Sequence, residues 1–219
     1  MDHFIELRRR INDKLEGIDA PHRHVQINEF PWLYGALGSV PAGVMFICEN
    51  PSAGGVLRAH VDTVDGGPPD IEAQWWGGTM NPAAKRFRAA LCQLGLKDTP
   101  PTVKGGWHCY ITNVIKEMNV VSDHRKLTGR DYREMARIWA PVLDWELEQV
   151  RPQHVFAVGQ RAFDRVTWLI KQRLIRPIQP QLVNHYSGYA TDGAIISGIV
   201  TVVRSVVGGH GRADGNDVA

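Results

Sequence analysis

The chain is poor in cysteine, with three in 219 residues: Cys48, Cys92 and Cys109. They stand far apart without a C-x-x-C pair, whereas structural zinc sites and iron–sulfur clusters normally use about four protein ligands. The sequence therefore predicts neither a metal nor a redox cofactor. Each cysteine lies in an apolar stretch, where burial as a small hydrophobic side chain is the usual role.

Long apolar runs and a strong excess of one charge are also missing. No apolar run approaches the ~20 residues that cross a bilayer. The opening stretch 1–6 lacks the basic-then-apolar layout of a secretory signal, so we expect a cytoplasmic protein without a membrane partner. The net charge of +2 is compatible with nucleic acid, but only a strongly basic domain would argue for it.

Short apolar runs alternate with helical patterns along the chain. Four runs are typical of buried strands: 44–48, 109–115, 154–158 and 181–185. Helices are predicted over 4–16, from 81 to 95, over 128–149 and after Gly159, while 193–207 suits a helix or a strand. The alternation predicts an α/β fold, a three-layer α/β/α sandwich around a four-stranded parallel sheet. We expect one domain over 1–207 and a disordered tail over 208–219.

Polar side chains follow each of the four predicted strands. They are Glu49 and Asn50, then Asn113, Gln160 and His185. Ligands of such folds bind at the carboxyl ends of the strands, so these side chains are expected to share one crevice. A carboxylate can deprotonate a water, an amide can read a base edge, and an imidazole can donate to an oxygen that gains negative charge. This set suits cleavage of an N-glycosidic bond.

The turn after the first strand also excludes one class of phosphate site. It reads Glu49-Asn50-Pro51-Ser52-Ala53-Gly54-Gly55, and no lysine follows its glycines. A nucleoside-triphosphate loop of the Walker type needs that lysine.

Four stretches, taken in order, resemble the uracil-DNA glycosylase superfamily. Residues 47–52 are similar to its first motif, and 110–116 to the strand that carries the uracil-reading Asn in the thermostable bacterial and archaeal type. Residues 139–143, followed by 150–159, resemble the kinked helix and third strand of that type. His185-Tyr186-Ser187 stands where the family has His-Pro-Ser. The resemblance covers roughly residues 44–190, but the four cluster-binding cysteines of the thermostable type are absent.

The resemblance implies a catalytic role for Asn50, Glu49 and His185 and a base-reading role for Asn113. Asn50 stands where the superfamily positions its water with Asp or Asn, and Glu49 is the second candidate for the base. Asn113 would read a flipped-out base, and His185 would stabilise charge on the O2 atom of that base.

Further residues are implied to contact the substrate. Trp75 or Trp76 would stack on the base. Ser52 replaces a Tyr that excludes a 5-methyl group in the strictest uracil enzymes, which predicts looser selectivity at C5. Ser187, Tyr189 and Lys116 would contact DNA, with Tyr189 as a wedge in the base stack.

The activity so implied is that of a monofunctional, monomeric DNA glycosylase of base excision repair. It would hydrolyse the N-glycosidic bond of uracil or a related altered base in double- or single-stranded DNA. An N-glycosidase acting on free nucleosides or nucleotides and a non-catalytic DNA-binding relative stay open. So do plainer roles for single residues: Asn50 as a turn former, Glu49 paired with an arginine, and Lys116 in an ion pair.

Overall fold

The strands of the sheet follow the apolar runs of the sequence. A computed structural model of the protein describes residues 2–17, 36–51, 82–100, 105–116, 128–187 and 190–209. Its strands are β1 (Leu37–Gly38), β2 (Val44–Cys48), β3 (Tyr110–Asn113), β4 (His154–Val158) and β5 (Pro180–Val183). Its helices are α1 (His3–Glu16), α2 (Pro82–Gln93), α3 (Gly129–Val150), α4 (Gln160–Lys171) and α5 (Asp192–Gly209).

The sheet has the order β1-β3-β2-β4-β5. Strands β3, β2, β4 and β5 are parallel, and β1 pairs antiparallel with the outer side of β3. The four predicted parallel strands are thereby confirmed. The edge strand β1 was not predicted, because two residues are too short to show an alternating pattern.

Helices cover both faces of the sheet, which confirms the three-layer sandwich. Apolar side chains of α1, α3 and α4 pack with Met45, Ile47 and Val155 on one face. Those of α2 and α5 pack with Phe46 and Phe156 on the other. Successive strand residues point to opposite faces, and burial of both sets explains the continuous apolar run of β2.

Local signals set the beginning of helix α3. Thr128 and Asp131 form the predicted capping box of α3, with Thr128 N–H donating to Asp131 Oδ2 at 2.7 Å and Asp131 N–H donating to Thr128 Oγ1 at 3.3 Å. The helix ends at Val150, one residue beyond the predicted bound, and contains Pro141.

The C-terminal apolar stretch is a helix, which settles the choice left open by the sequence. Helix α5 runs from Asp192 through Gly209, so it includes the first two residues of the predicted tail; residues 210–219 lie outside the described residues. Within the described part, no helix is long and apolar enough to span a bilayer.

The cysteines Cys48 and Cys109 are buried, and burial raises the pKa of each thiol to about 12. They act as small apolar side chains of the core, as their surroundings in the sequence indicate. Cys92 is half-buried on α2.

Candidate active site

The carboxyl ends of the parallel strands lie side by side at one edge of the sheet. Asn113 pairs in register with Cys48, and Val158 with Val183. The residues that follow these positions therefore emerge next to one another, in the spatial order of their strands. Glu49 and Asn50 follow β2, Gly159 and Gln160 follow β4, and His185 comes two residues after β5.

Glu49 is an acid held away from water. Its side chain is 15% exposed, and its Oε1 atom is buried without a hydrogen-bond partner among the described residues. Burial raises the pKa of Glu49 above its ordinary value, and the nearby Arg161 and Arg165 oppose that rise. The other oxygen, Oε2, lies 3.8 Å from the Arg161 guanidinium, so the pairing with an arginine left open by the sequence does occur.

Asn50 is half-exposed beside this acid. Its Nδ2 donates to the carbonyl of Pro51 at 3.2 Å, which is a local contact of the kind a turn-forming Asn makes. The side-chain oxygen of an amide can accept from a water but cannot take its proton. Asn50 can therefore position a nucleophile, whereas Glu49 has the chemistry to activate one.

The imidazole of His185 has a fixed tautomer. The backbone N–H of Ser187 donates to His185 Nδ1 at 3.1 Å, and Ser187 Oγ lies 2.6 Å from the same atom. Because a backbone N–H can only donate, Nδ1 must accept, and the proton of the neutral ring is on Nε2. The loop thus turns His185 into a hydrogen-bond donor through Nε2.

The surroundings of His185 favour the neutral form of its imidazole. The ring stacks on Tyr186 with centroids 4.5 Å apart and packs against Gly159, so protein atoms replace part of its water although the residue keeps exposed surface. This desolvation, followed by the positive charge of Arg161, lowers the pKa of His185 below its ordinary value. The neutral imidazole can still donate a hydrogen bond through Nε2–H to an oxygen on which negative charge develops.

Gly159 allows the close approach of His185. Its φ is +87°, and a Cβ at this position would lie 3.0 Å from His185 Cβ. A side chain there would be strained and would displace the imidazole. The glycine that starts α4 therefore also seats the histidine at the end of the neighbouring strand.

Tyr186, which stands where the resemblance expects proline, anchors the same loop. Its ring stacks on Phe87 of α2 with centroids 5.2 Å apart, and its carbonyl accepts from Arg86 Nη1 at 3.2 Å. Arg86 is held in turn by Asp192 of α5, 2.6 Å from its Nε. The aromatic ring thus supplies by packing the fixation that the proline would give to the backbone.

Asn113 is 5% exposed at the end of β3. The two residues after it continue the sheet bonding, since Val114 N–H donates to Cys48 O and Ile115 N–H donates to Glu49 O, each at 2.9 Å. These bonds tie the loop of Asn113 directly to the loop of Glu49 and Asn50.

Arg161 is a site residue that the sequence analysis missed. It lies in the first turn of α4, its side chain is 72% exposed, and its charge acts on both Glu49 and His185. Only Gln160 is considered after β4 in the sequence analysis, and the side chain of Gln160 donates to Asp164 at 2.8 Å. Arg161 is the residue after Gln160, and this closeness to the end of β4 is the sequence signal that could have identified it.

The structure contradicts the assignment of Lys116 to DNA. The side chain is buried, and its Nζ forms an ion pair with Glu146 and donates to Thr112 Oγ1 at 2.6 Å. A phosphate cannot reach it, and the ion pair left open by the sequence is what occurs.

Ser187, which the sequence analysis expects to contact DNA, contacts His185 in the structure. Its N–H and Oγ both contact His185, so the described contacts make it an orienting residue for the imidazole. Four other expected site residues, Ser52, Trp75, Trp76 and Tyr189, lie outside the described residues.

Comparison with known proteins is consistent with this geometry. A search of curated proteins found no match to the chain. The family model for the uracil DNA glycosylase superfamily matches residues 36–196, which include every strand of the sheet and each of the strand-end residues described above. The match covers well over half of the chain, and the chain therefore belongs to the uracil-DNA glycosylase superfamily.

Proposed function

We propose that the protein is a monofunctional DNA glycosylase that removes uracil or a related altered base flipped out of DNA, leaving an abasic site. Extruding the nucleotide costs a few kcal/mol of unstacking, and the pocket then reads the base edge. We further propose that it acts as a monomer in the cytoplasm, as part of base excision repair.

The observation that carries the proposal is the oriented, neutral imidazole of His185. Breaking the bond between the sugar C1′ and the base leaves the bonding electron pair on the base, and negative charge develops on its oxygen. His185 Nε2–H is a donor with its tautomer set by Ser187, and such a preorganised donor stabilises that charge. Asn113, buried at the end of β3, supplies a donor and an acceptor for the edge of the same base.

The reaction also needs a water molecule on the opposite side of the sugar, as the nucleophile. Asn50 would hold this water, and Glu49 would accept its proton as the oxygen bonds to C1′. Glu49 Oε1 is buried without a hydrogen-bond partner among the described residues, and the pKa of Glu49 is raised. Both support this role, because a base whose pKa lies nearer the working pH accepts a proton more readily. The products are a sugar with a hydroxyl at C1′ and the base anion, which takes up a proton from solvent, while Glu49 returns its proton to solvent.

A lyase step through a lysine Schiff base is not part of the proposal. The turn of the first motif, residues 49–55, contains no lysine. Lys116, the nearest lysine after the base-reading Asn113, is buried and ion-paired with Glu146. A deprotonated, accessible amine is required for such a step.

The activity test uses single- and double-stranded oligonucleotides that carry uracil, thymine mispaired with guanine, or 5-hydroxymethyluracil. We expect alkali-sensitive breaks at uracil in at least one strand form, and release of a C5-substituted base as well, because Ser52 is smaller than the excluding Tyr. Strict preference for uracil would contradict the prediction of looser selectivity at C5 but not the proposed glycosylase activity. Cleavage of deoxynucleosides without cleavage of oligonucleotides would instead identify a nucleosidase, and salt-dependent DNA binding without any cleavage a non-catalytic relative.

Removing the charge of Arg161 should shift the pH dependence of the reaction. The active form needs neutral His185 and ionised Glu49, and both prevail above the respective pKa. Arg161 lowers both pKa values, so Arg161→Gln should raise both and move the acid limb of the kcat/KM profile to higher pH. Lys171→Gln, at the last residue of the same helix, is the matched control and should leave the profile in place. An unshifted profile for Arg161→Gln would contradict the assigned roles.

A further inference from the structure

A buried polar cluster lies beneath the loop that carries Asn113. It consists of Tyr110, Thr112, Lys116 and Glu146, and we call it the Glu146 cluster. Tyr110 and Thr112 are on β3, Lys116 follows that strand, and Glu146 projects from α3. All four side chains are buried, and none of them takes part in the chemistry proposed above.

Both oxygens of Glu146 are used to hold one short segment. Glu146 Oε1 accepts from Thr112 Oγ1 at 2.6 Å and from Tyr110 OH at 2.8 Å, and Oε2 accepts from Lys116 Nζ. Lys116 Nζ also donates to Thr112 Oγ1 at 2.6 Å. The carboxylate thus fixes residues 112 and 116 together, and Asn113 lies within the segment they close.

The other side of this segment is bound to the loop of the candidate base. The Val114 and Ile115 N–H groups donate to the carbonyls of Cys48 and Glu49. The segment 112–116 is therefore held by α3 from one side and by the end of β2 from the other. Any shift of the Glu146 cluster would move Asn113 relative to Glu49 and Asn50.

A gain in folding stability does not explain why a buried ion pair is present here. Burying an ion pair costs desolvation of both charges, and replacing a buried pair by apolar side chains of similar volume is often neutral or stabilising. An apolar pair would fill the space between β3 and α3, but it would not connect residues 112 and 116 through directed bonds. The benefit that remains is the fixed geometry of the segment.

We propose that Glu146 and Lys116 are positioning residues that set the place of the Asn113 amide relative to Glu49 and Asn50. This inference rests on the proposed function, because the role of Asn113 is to read the base. It concerns residues that touch neither base nor DNA and act through Asn113.

A double-mutant cycle between Glu146→Gln and Asn113→Ala tests this role. A misplacement of about 1 Å costs up to about 100-fold in rate, so Glu146→Gln should lower kcat/KM on a uracil oligonucleotide by about 10- to 100-fold. In the Asn113→Ala background the same change should cost less than about 3-fold, because the residue it positions is already gone. An equal loss in both backgrounds would overturn the inference.

Leu147→Ala is the matched control for lost stability. Leu147 is the next residue of α3 and is buried in the core on the α1, α3 and α4 side of the sheet, and its side chain has no group that could hydrogen-bond to the segment. Its replacement should lower the melting temperature and have the same effect on kcat/KM with or without Asn113. Since Glu146→Gln leaves the Lys116 ammonium unpaired, Glu146→Gln/Lys116→Met enters the same cycle if the single variant fails to fold.

Hydrogen exchange of backbone amides tests the positioning role without an activity measurement. The amides of Val114 and Ile115 should exchange at least about 10-fold faster in Glu146→Gln/Lys116→Met than in the wild type, whereas those of Phe46 and Ile47 in the centre of the sheet should be unchanged. Unchanged exchange at 114 and 115 would overturn the inference even if the wild type is active. An inactive wild type with the expected exchange would instead overturn the proposed function alone.

Discussion

Replacing His185 with alanine should lower the rate of base release by about 10²- to 10³-fold, the usual loss when one preorganised donor to a developing oxyanion is removed. The imidazole lies at the sheet edge and keeps exposed surface, so its removal leaves the core intact. Single-turnover kinetics on a uracil oligonucleotide measure the loss, and thermal unfolding checks the fold. A rate within about 3-fold of the wild type would contradict the assignment.

Ser187→Ala is the control for this result. It removes the hydroxyl at 2.6 Å from His185 Nδ1 but keeps the backbone N–H that donates at 3.1 Å. The backbone bond alone sets the tautomer, so Nε2 should remain the donor and the loss should stay well below that of His185→Ala. Comparable losses would show that the hydroxyl has a further role, such as the DNA contact that the resemblance implies.

The fold could be predicted from the sequence because its signals are local. The strand β2 is one uninterrupted apolar run, and Thr128 with Asp131 marks the beginning of α3 within four residues. Once strands and helices alternate, the helical crossovers make the strands parallel, and the carboxyl ends of parallel strands meet at one edge of the sheet. The placement of Glu49, Asn113 and His185 at that edge therefore followed from the pattern alone.

The environment of single residues could not be predicted in this way. Lys116 follows a strand end as a DNA-contacting lysine would, and only the approach of Glu146, thirty residues later on α3, makes it a buried ion pair. Likewise, the effect of Arg161 on His185 depends on how β4 and β5 pair, which no local pattern contains. The apolar stretch of α5 suited a helix or a strand until its packing against α2 was known.

Changing Glu49 to glutamine separates the holding of the water from its activation. The amide keeps the size and polarity of the side chain but cannot accept a proton, so the rate should fall by about 10²- to 10⁴-fold, as for loss of a general base. Asn50→Ala should also lower the rate strongly, because the water loses its orientation. Full activity of Glu49→Gln would assign the water to Asn50 alone.

A carboxylate moved by one position supplies the decisive comparison. Asn50→Asp in the Glu49→Gln background restores a proton acceptor beside the original one, and it should regain part of the lost rate if both side chains face the same water. Burial raises the pKa of Glu49, so the wild-type rate should fall as the pH drops through that raised value. Asn50 is half-exposed, so an aspartate there loses less of its hydration, and the rescued enzyme should keep its rate to lower pH. If the rate is rescued but the acid limb of the pH profile does not move, the limb reports His185 instead. His185 must also be deprotonated for activity, and its pKa is lowered.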